Sequence, residues 1–411
     1  MELEWKVELA LLKALGEHGR IPKEAYTEIQ GIINDGKVTL ARTLEIEKDT
    51  HHDIMAMVKA ISEQSPTYGG FVHLGATSQD VNDTVLSLQL TESRDVLLQA
   101  TADVRKELTR LSVKHKNLAT IARTHGQHAI PITMGFKFAN YLYEISTAES
   151  FLQRVSLPAK FSGAVGTFAS LGTNKIQESI MRELNLQAAP ISTQVVSRLH
   201  IADYIFALCA IAGALERLAK EFRNLQRTEI SETSEGFGEK QVGSSTMPQK
   251  RNPHKSERVC GIARIIRSQL DPSLEAISLE HERDLTNSST ERISLPTAVC
   301  LTHYILIEMY KVLAVLHVDE ENVERNLNLG QGKQLAERIM MALADKLGRQ
   351  AAHEILRTHA SADNFVAALK SDAQIASVLT SSELDTLLDP TTYVGLAPSI
   401  VESVVEKFGV N

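Results

Sequence analysis

The chain has 411 residues, more than one hydrophobic core usually organises, so its length points to two or three domains. Its 51 acidic residues against 43 basic ones give a formal net charge of -8 at pH 7, which argues against a nucleic-acid scaffold, because phosphate binding by counterion release wants a basic face. Cys209, Cys260 and Cys300 are widely spaced and signal neither a disulfide framework nor a metal site, no apolar run approaches the ~20 residues that span a bilayer, and the start, Met1 to Lys6, lacks a signal-peptide pattern, so a soluble cytoplasmic protein with reduced thiols is expected.

Along the chain, the absence of proline between Pro66 and Pro131, Pro190 and Pro248, and Pro296 and Pro390 leaves intervals that can hold very long helices. Helices are predicted over Asp80 to about Lys114 and over Thr133 to Val155. Another is predicted over Gln194 to about Ser231, where Ile201, Ile205, Leu208, Leu215, Leu218 and Phe222 recur at three- and four-residue steps. Lys255 to Leu279 and Asp284 to His317 read the same way, the last accommodating Pro296 as a kink. The expected fold class is therefore all-α, an elongated bundle of long helices. Strand signals are weak and confined to short pieces such as Phe161 to Gly166, and no internal repeat or low-complexity linker is found. The expected domains are an N-terminal helical domain over 1–93, a central long-helix bundle over 94–342 with a lid loop at 236–256, and a C-terminal helical domain over 343–411.

The most informative stretch is Gly243 to Glu257, which places Ser244 and Ser245, Lys250, Arg251, Asn252 and Glu257 between helix-breaking prolines. Such a loop suits anion chemistry and closure over a carboxylate-bearing substrate, although a basic surface loop is the plain alternative for a lone Lys-Arg pair. Four further segments agree with it in order: Glu45 to Asp53, Val72 to Ser78, Arg123 to His128, and His281 to Asp284 with Ser288, Ser289, Glu291 and Arg292. Together they resemble the aspartase/fumarase superfamily, and within it the adenylosuccinate lyases, over nearly the whole chain.

That resemblance implies a metal-independent lyase without cofactor, acting on a nucleotide substrate. It would release fumarate from adenylosuccinate and from the succinyl-carboxamide imidazole ribotide of purine synthesis. It also implies a three-domain lyase fold in which helices of four subunits merge into a common core, each active site being assembled from three chains. Breaking a C–N bond beta to a carboxylate needs a base for the carbon-bound proton, cationic or hydrogen-bonding groups for the charge that develops, and an acid for the leaving nitrogen. By the resemblance His125 is the general acid, oriented and raised in pKa by Glu257. Ser245 is the base, with Ser244 as the fallback, and its alkoxide needs the loop's amides and Lys250. Lys250 and Asn252 hold the substrate carboxylate, with Thr77, Ser78, Thr124 and Gln194 as partners for the succinyl group. A Thr77-Ser78 pair before Asp80 is also an ordinary helix N-cap. His52, beside Asp53, and His73 position the substrate. Arg283, Ser288 and Arg292, at i, i+5 and i+9 of one helix, hold the phosphate; the plain alternative is a face salt-bridged to Glu282 and Glu291.

The sequence departs from the pattern at Gln249, where the family commonly has His, and at His51, where many members carry Arg. The Met-Pro-Gln-Lys run is more typical of argininosuccinate lyases. The chain also starts close to its first helix, without the stretch in which the family carries an Arg-Tyr pair near the phosphate. The competing expectations are an argininosuccinate lyase, a 3-carboxymuconate cycloisomerase-like enzyme and, outside catalysis, an inactive structural protein on the same fold.

Overall fold

The structure, a computed structural model, describes residues 1–236, 246–247 and 249–410. Ser244, Ser245 and much of the expected lid loop lie outside the described residues. In chain order the elements are α1 (Glu2–Glu17), α2 (Glu24–Asn34), α3 (Leu40–Thr50), α4 (Asp53–Ser62), α5 (Ser78–Lys114), β1 (Ala119–Thr124) and β2 (Gln127–Thr133). Then come α6 (Met134–Gln153), α7 (Lys175–Leu184), α8 (Leu199–Leu225), β3 (Thr233–Ser234), α9 (His254–Arg267), α10 (Leu270–Glu275), α11 (Thr286–Ala314), β4 (His317–Val318) and α12 (Glu320–Asn328). Shorter helices follow, from α13 (Ala336–Leu347) and α14 (Arg349–His359) onward, and the helix Ala397–Phe408 is the last. The all-α expectation holds.

Of the predicted helices, α5 and α6 match to within two residues. The 37 residues of α5 contain neither Gly nor Pro and span about 55 Å at 1.5 Å per residue. α8 is shorter than predicted because its approach is extended: the Val196 amide donates to Asp83 Oδ2 at 2.7 Å. The prediction over Lys255 to Leu279 fails beyond Arg267, where the chain restarts as α10 with Pro272 in its first turns, the one part of a helix that tolerates a missing N–H. α11 runs unbroken through Pro296.

Residues 161–166 form no strand. The Ser162 and Gly163 amides instead wrap the buried carboxylate of Asp80, at 3.0 and 3.2 Å. Among the described residues the strands lie elsewhere, as two small antiparallel pairs, β1 with β2 and β3 with β4. One further expectation needs correction: α8 and α11 are long and apolar enough to cross a membrane by length and composition. In α8, 67% of the most apolar window is buried within the chain, as in the core helix of a soluble protein.

The chain divides into two compact units. The first comprises 1–98, 151–209 and 266–300. Its core joins Val7, Leu11, Ile29, Ile54, Phe161 and Ile176. At its centre Lys160 and Asp80, both sealed from solvent, form an ion pair, and Lys160 Nζ also donates to the Gly163 carbonyl at 3.2 Å. The second unit comprises 99–150, 210–265 and 301–411. Within it, Ile339, Leu343, Phe365, Leu369 and Ile375 build a separate small core. The last helix is tied down by Arg105, whose guanidinium donates to the Phe408 carbonyl at 2.7 Å.

Candidate functional site

The expected site residues fall into two groups, one in each unit. In the first unit α4 and α5 begin at the motif residues. His52 is the N-cap of α4: its Nδ1 accepts from the Met55 amide at 3.3 Å, which puts the ring proton on Nε2, 3.3 Å from Ser78 Oγ. Ser78 opens α5, and Asp80 reaches back to accept from the Thr77 amide at 2.9 Å, one half of a capping box. Thr77 therefore stands at the N-cap position of α5, with Asp80 supplying the capping carboxylate.

Arg283 closes this group. Its guanidinium donates to Gln194 Oε1 at 2.8 Å and, with the Gln79 amide oxygen turned toward it, to Gln79 at 2.7 Å. Burial, the largest influence, and the nearby Arg198 charge lower its pKa despite the opposing charges of Asp83, Asp53 and Glu291. His52, Asp53, Ser78, Gln194 and Arg283 are therefore linked through hydrogen bonds, chain adjacency and charge.

Two expectations about the phosphate cluster change. Arg283 lies on the turn before α11, which starts at Thr286 behind Asp284, so it does not share a helix with Ser288 and Arg292. Arg292 is exposed, and Glu291 pairs with Arg198 at 3.0 Å and with Asn287 at 2.8 Å. Arg198 in turn grips Asp83 with both terminal nitrogens, at 2.9 and 3.1 Å.

In the second unit His125 occupies the tip of the β1–β2 hairpin. Thr124 pairs with Gln127, and the two residues between them, His125 and Gly126, have φ 54 and 77. Positive φ at both centres is the type I′ geometry that matches strand twist, with His in the place usually held by Asn. The ring of His125 is exposed. Below it, Arg123 forms a two-pronged pair with the fully buried Glu232, which also accepts from Asn326 at 2.9 Å. The hairpin is thereby bolted to α12.

Lys250, Asn252 and Glu257 lie at the entrance to α9, with Lys250 and Glu257 exposed. The first turn of α9 is capped from outside: Glu235 accepts from the Ser256 amide at 2.8 Å, from its hydroxyl at 2.6 Å and from the Lys255 amide at 3.3 Å. Gln226 braces both sides, accepting from the Glu235 amide at 2.9 Å and donating to the Arg251 carbonyl at 3.0 Å. Among the described residues of one chain, His125 and Glu257 share no hydrogen bond or ion pair, so the expected carboxylate–imidazole couple is not formed there.

Sequence reasoning missed Glu8, Arg198, Glu232 and Glu235. Glu8 carried a readable signal: a carboxylate on the apolar stripe of α1, between Val7 and Leu11, Leu12 and Leu15. It accepts from the His73 amide at 3.1 Å and from His73 Nδ1 at 2.6 Å. Burial, the largest influence, pulls the His73 pKa down, but the Glu8 hydrogen bond and the charges of Glu8 and Asp80 outweigh it and leave it raised. Among the described residues no cluster of His, Cys, Asp and Glu is arranged to hold a metal.

Comparison with known proteins supplies the context. A family model described as Lyase matches residues 2–267, and one described as Adenylosuccinate lyase C-terminus matches residues 332–404. The adenylosuccinate lyase of Pyrococcus abyssi is 44% identical over 410 residues, covering 97% of this chain and 91% of that protein. Among solved structures, a fumarate lyase from Mesorhizobium sp. BNC1 superposes with a TM-score of 0.90 at 29% identity, covering 98% of this chain and 94% of that one. A 3-carboxy-cis,cis-muconate lactonizing enzyme from Pseudomonas putida gives 0.88 at 30%, covering 99% and 93%.

Proposed function

The chain belongs to the adenylosuccinate lyase family, and we propose that it cleaves adenylosuccinate to AMP and fumarate, and the succinyl-carboxamide imidazole ribotide likewise. The observation that carries the nucleotide reading is the linked group His52, Asp53, Ser78, Gln194 and Arg283, in which a guanidinium is fixed from two sides by neutral amides. Neutral partners orient an arginine without spending its charge, so the charge stays available to a phosphate. Exposed Arg292 and half-buried Ser288 extend that role.

In the chemistry proposed, Ser245 as alkoxide takes the proton from the carbon beside the substrate carboxylate. Lys250 and Asn252 stabilise the charge that gathers on that carboxylate. His125 gives its proton to the leaving nitrogen as the C–N bond breaks. An exposed imidazole on a two-residue turn suits insertion into a site completed by other surfaces, and Glu257 of another subunit is the proposed partner that orients it. The assembly proposed is a cytoplasmic homotetramer in which three chains furnish each site. Large apolar side chains left exposed on the long helices support it: Tyr143 on α6, Leu199 and Phe206 on α8, Ile293 and Tyr304 on α11. The three-part layout, 1–93, 94–342 and 343–411, is retained as a proposal, supported by the separate family match over 332–404 and the small core from Ile339 to Leu384.

The likeness to the lactonizing enzyme keeps a second reading in view, a cycloisomerase that handles no phosphate. Fumarate release by purified protein from adenylosuccinate and from argininosuccinate, set beside the loss of the conjugated-diene absorbance when 3-carboxy-cis,cis-muconate closes to its lactone, separates them. Turnover of adenylosuccinate with inhibition by AMP is the expected result. Turnover confined to argininosuccinate or to the muconate sinks the nucleotide reading.

A further inference from the structure

Glu8 is 1% exposed in the middle of an apolar helix face. A carboxylate taken out of water costs several kcal/mol unless its lone pairs and charge are met. Here one residue meets both oxygens: the His73 amide donates to Oε2 at 3.1 Å and His73 Nδ1 to Oε1 at 2.6 Å. The two bonds do different work. The first holds the His73 backbone at φ 64, a left-handed conformation that non-glycine residues adopt rarely and keep only where surroundings enforce it. The second commits the Nδ1 proton, which fixes the tautomer and the ring plane.

What remains of the imidazole is Nε2. It has no protein partner among the described residues, and the side chain keeps 12% of its surface exposed. The Lys160–Asp80 pair in the same unit is the instructive contrast, because there both charges are sealed and nothing is left over for a ligand. His52, bonded through Nδ1 as an acceptor, has the opposite tautomer, so the two histidines are set up differently by their neighbours.

We propose that Glu8 is a positioning residue for the lyase reaction: it holds the His73 backbone turn and its Nδ1–H so that Nε2 is presented to an oxygen of the substrate. This rests on the lyase reading above and adds to it a residue from α1, in none of the segments that carry the family pattern. The charged groups facing His73 are Glu8 from α1 and Asp80 from α5. Their combined pull favours the imidazolium, in which Nε2 is a donor suited to a carboxylate or phosphate oxygen.

The test uses the full-length protein with ring-15N histidine, the His73 signals being assigned by their loss in His73→Gln. In wild type the neutral ring should be protonated at Nδ1. In Glu8→Gln the His73 titration should fall by about one pH unit as the anionic partner is lost. The kcat/KM for adenylosuccinate should fall about tenfold to a hundredfold, the loss seen when a carboxylate behind a metal-bound histidine is removed. Glu8→Asp, which keeps the charge, should restore most of the titration. An Nε2-protonated wild-type tautomer overturns the proposal, and that measurement needs no variant to fold. An unchanged His73 titration in folded Glu8→Gln overturns it as well. Wild-type protein with the expected tautomer and titration but no fumarate release from any substrate supports the pairing and overturns the lyase reading.

Discussion

His51, His73, His125 and His281 all have left-handed backbones, and each lies in one of the motif segments or beside its functional residues. Such positions cost energy and persist only where the fold enforces them. For His125 the enforcing element is the two-residue turn, which leaves the ring exposed. His125→Ala should therefore lower kcat by about 10²–10⁴ while thermal stability and substrate binding stay near wild type. Steady-state kinetics with a melting curve checks this, and a near-normal kcat would move the acid role elsewhere, first to His73. The Glu8–His73 pair carries a second residue-scale expectation. Its folded pKa is raised above the ordinary 6.5, so its stabilisation is whole below that pH and is lost as pH rises through the folded value. The melting-temperature gap between wild type and Glu8→Gln should thus narrow as pH rises through the folded value of His73, leaving the part that comes from the non-titrating bond to the His73 amide. A gap constant with pH would count against a charged histidine in the pair.

At the scale of elements, two buried carboxylates hold the second unit's site segments in place. Glu232 ties the hairpin to α12 through Arg123 and Asn326, and Glu235 caps α9 where Lys250 to Glu257 enter it. Removing one partner of a buried pair leaves the other uncompensated. Glu232→Ala should cost about 3–5 kcal/mol, measured by denaturant unfolding, and should lower kcat by displacing His125. A loss of less than about 1 kcal/mol would mean that Arg123 finds solvent instead. These elements also mark what the sequence made legible. The long helices α5 and α6 were readable because apolar periodicity persists over many turns without proline. The hairpin was not, since β1 and β2 are short and its turn carries His-Gly where Asn-Gly would have signalled it. Glu232 and Glu235 were hidden because nothing local distinguishes a buried acidic residue from a solvated one; only their partners, Asn326 and Ser256, far along the chain, do so.

At the scale of the molecule, one chain supplies the candidate residues in two separate sets: His52, His73, Ser78, Gln194 and Arg283 in one unit, and His125, Lys250, Asn252 and Glu257 in the other. His125 and Glu257, though in the same unit, do not meet among the described contacts, and the long helices carry exposed Tyr143, Phe206 and Ile293. The shared site proposed above, completed by neighbouring subunits, has a numerical consequence. Ser245→Ala and His125→Ala should each be inactive alone and regain activity when unfolded together and refolded. In a mixed tetramer some sites draw their histidine from one mutant's intact copy and their serine from the other's. With equal amounts and random assembly, the chance that both are intact in a site fed by two independent chains is about one quarter, so activity should approach roughly that fraction of wild type. Tetramers verified as mixed that remain inactive would place both residues in the site from a single chain, and the shared-site architecture would have to be withdrawn.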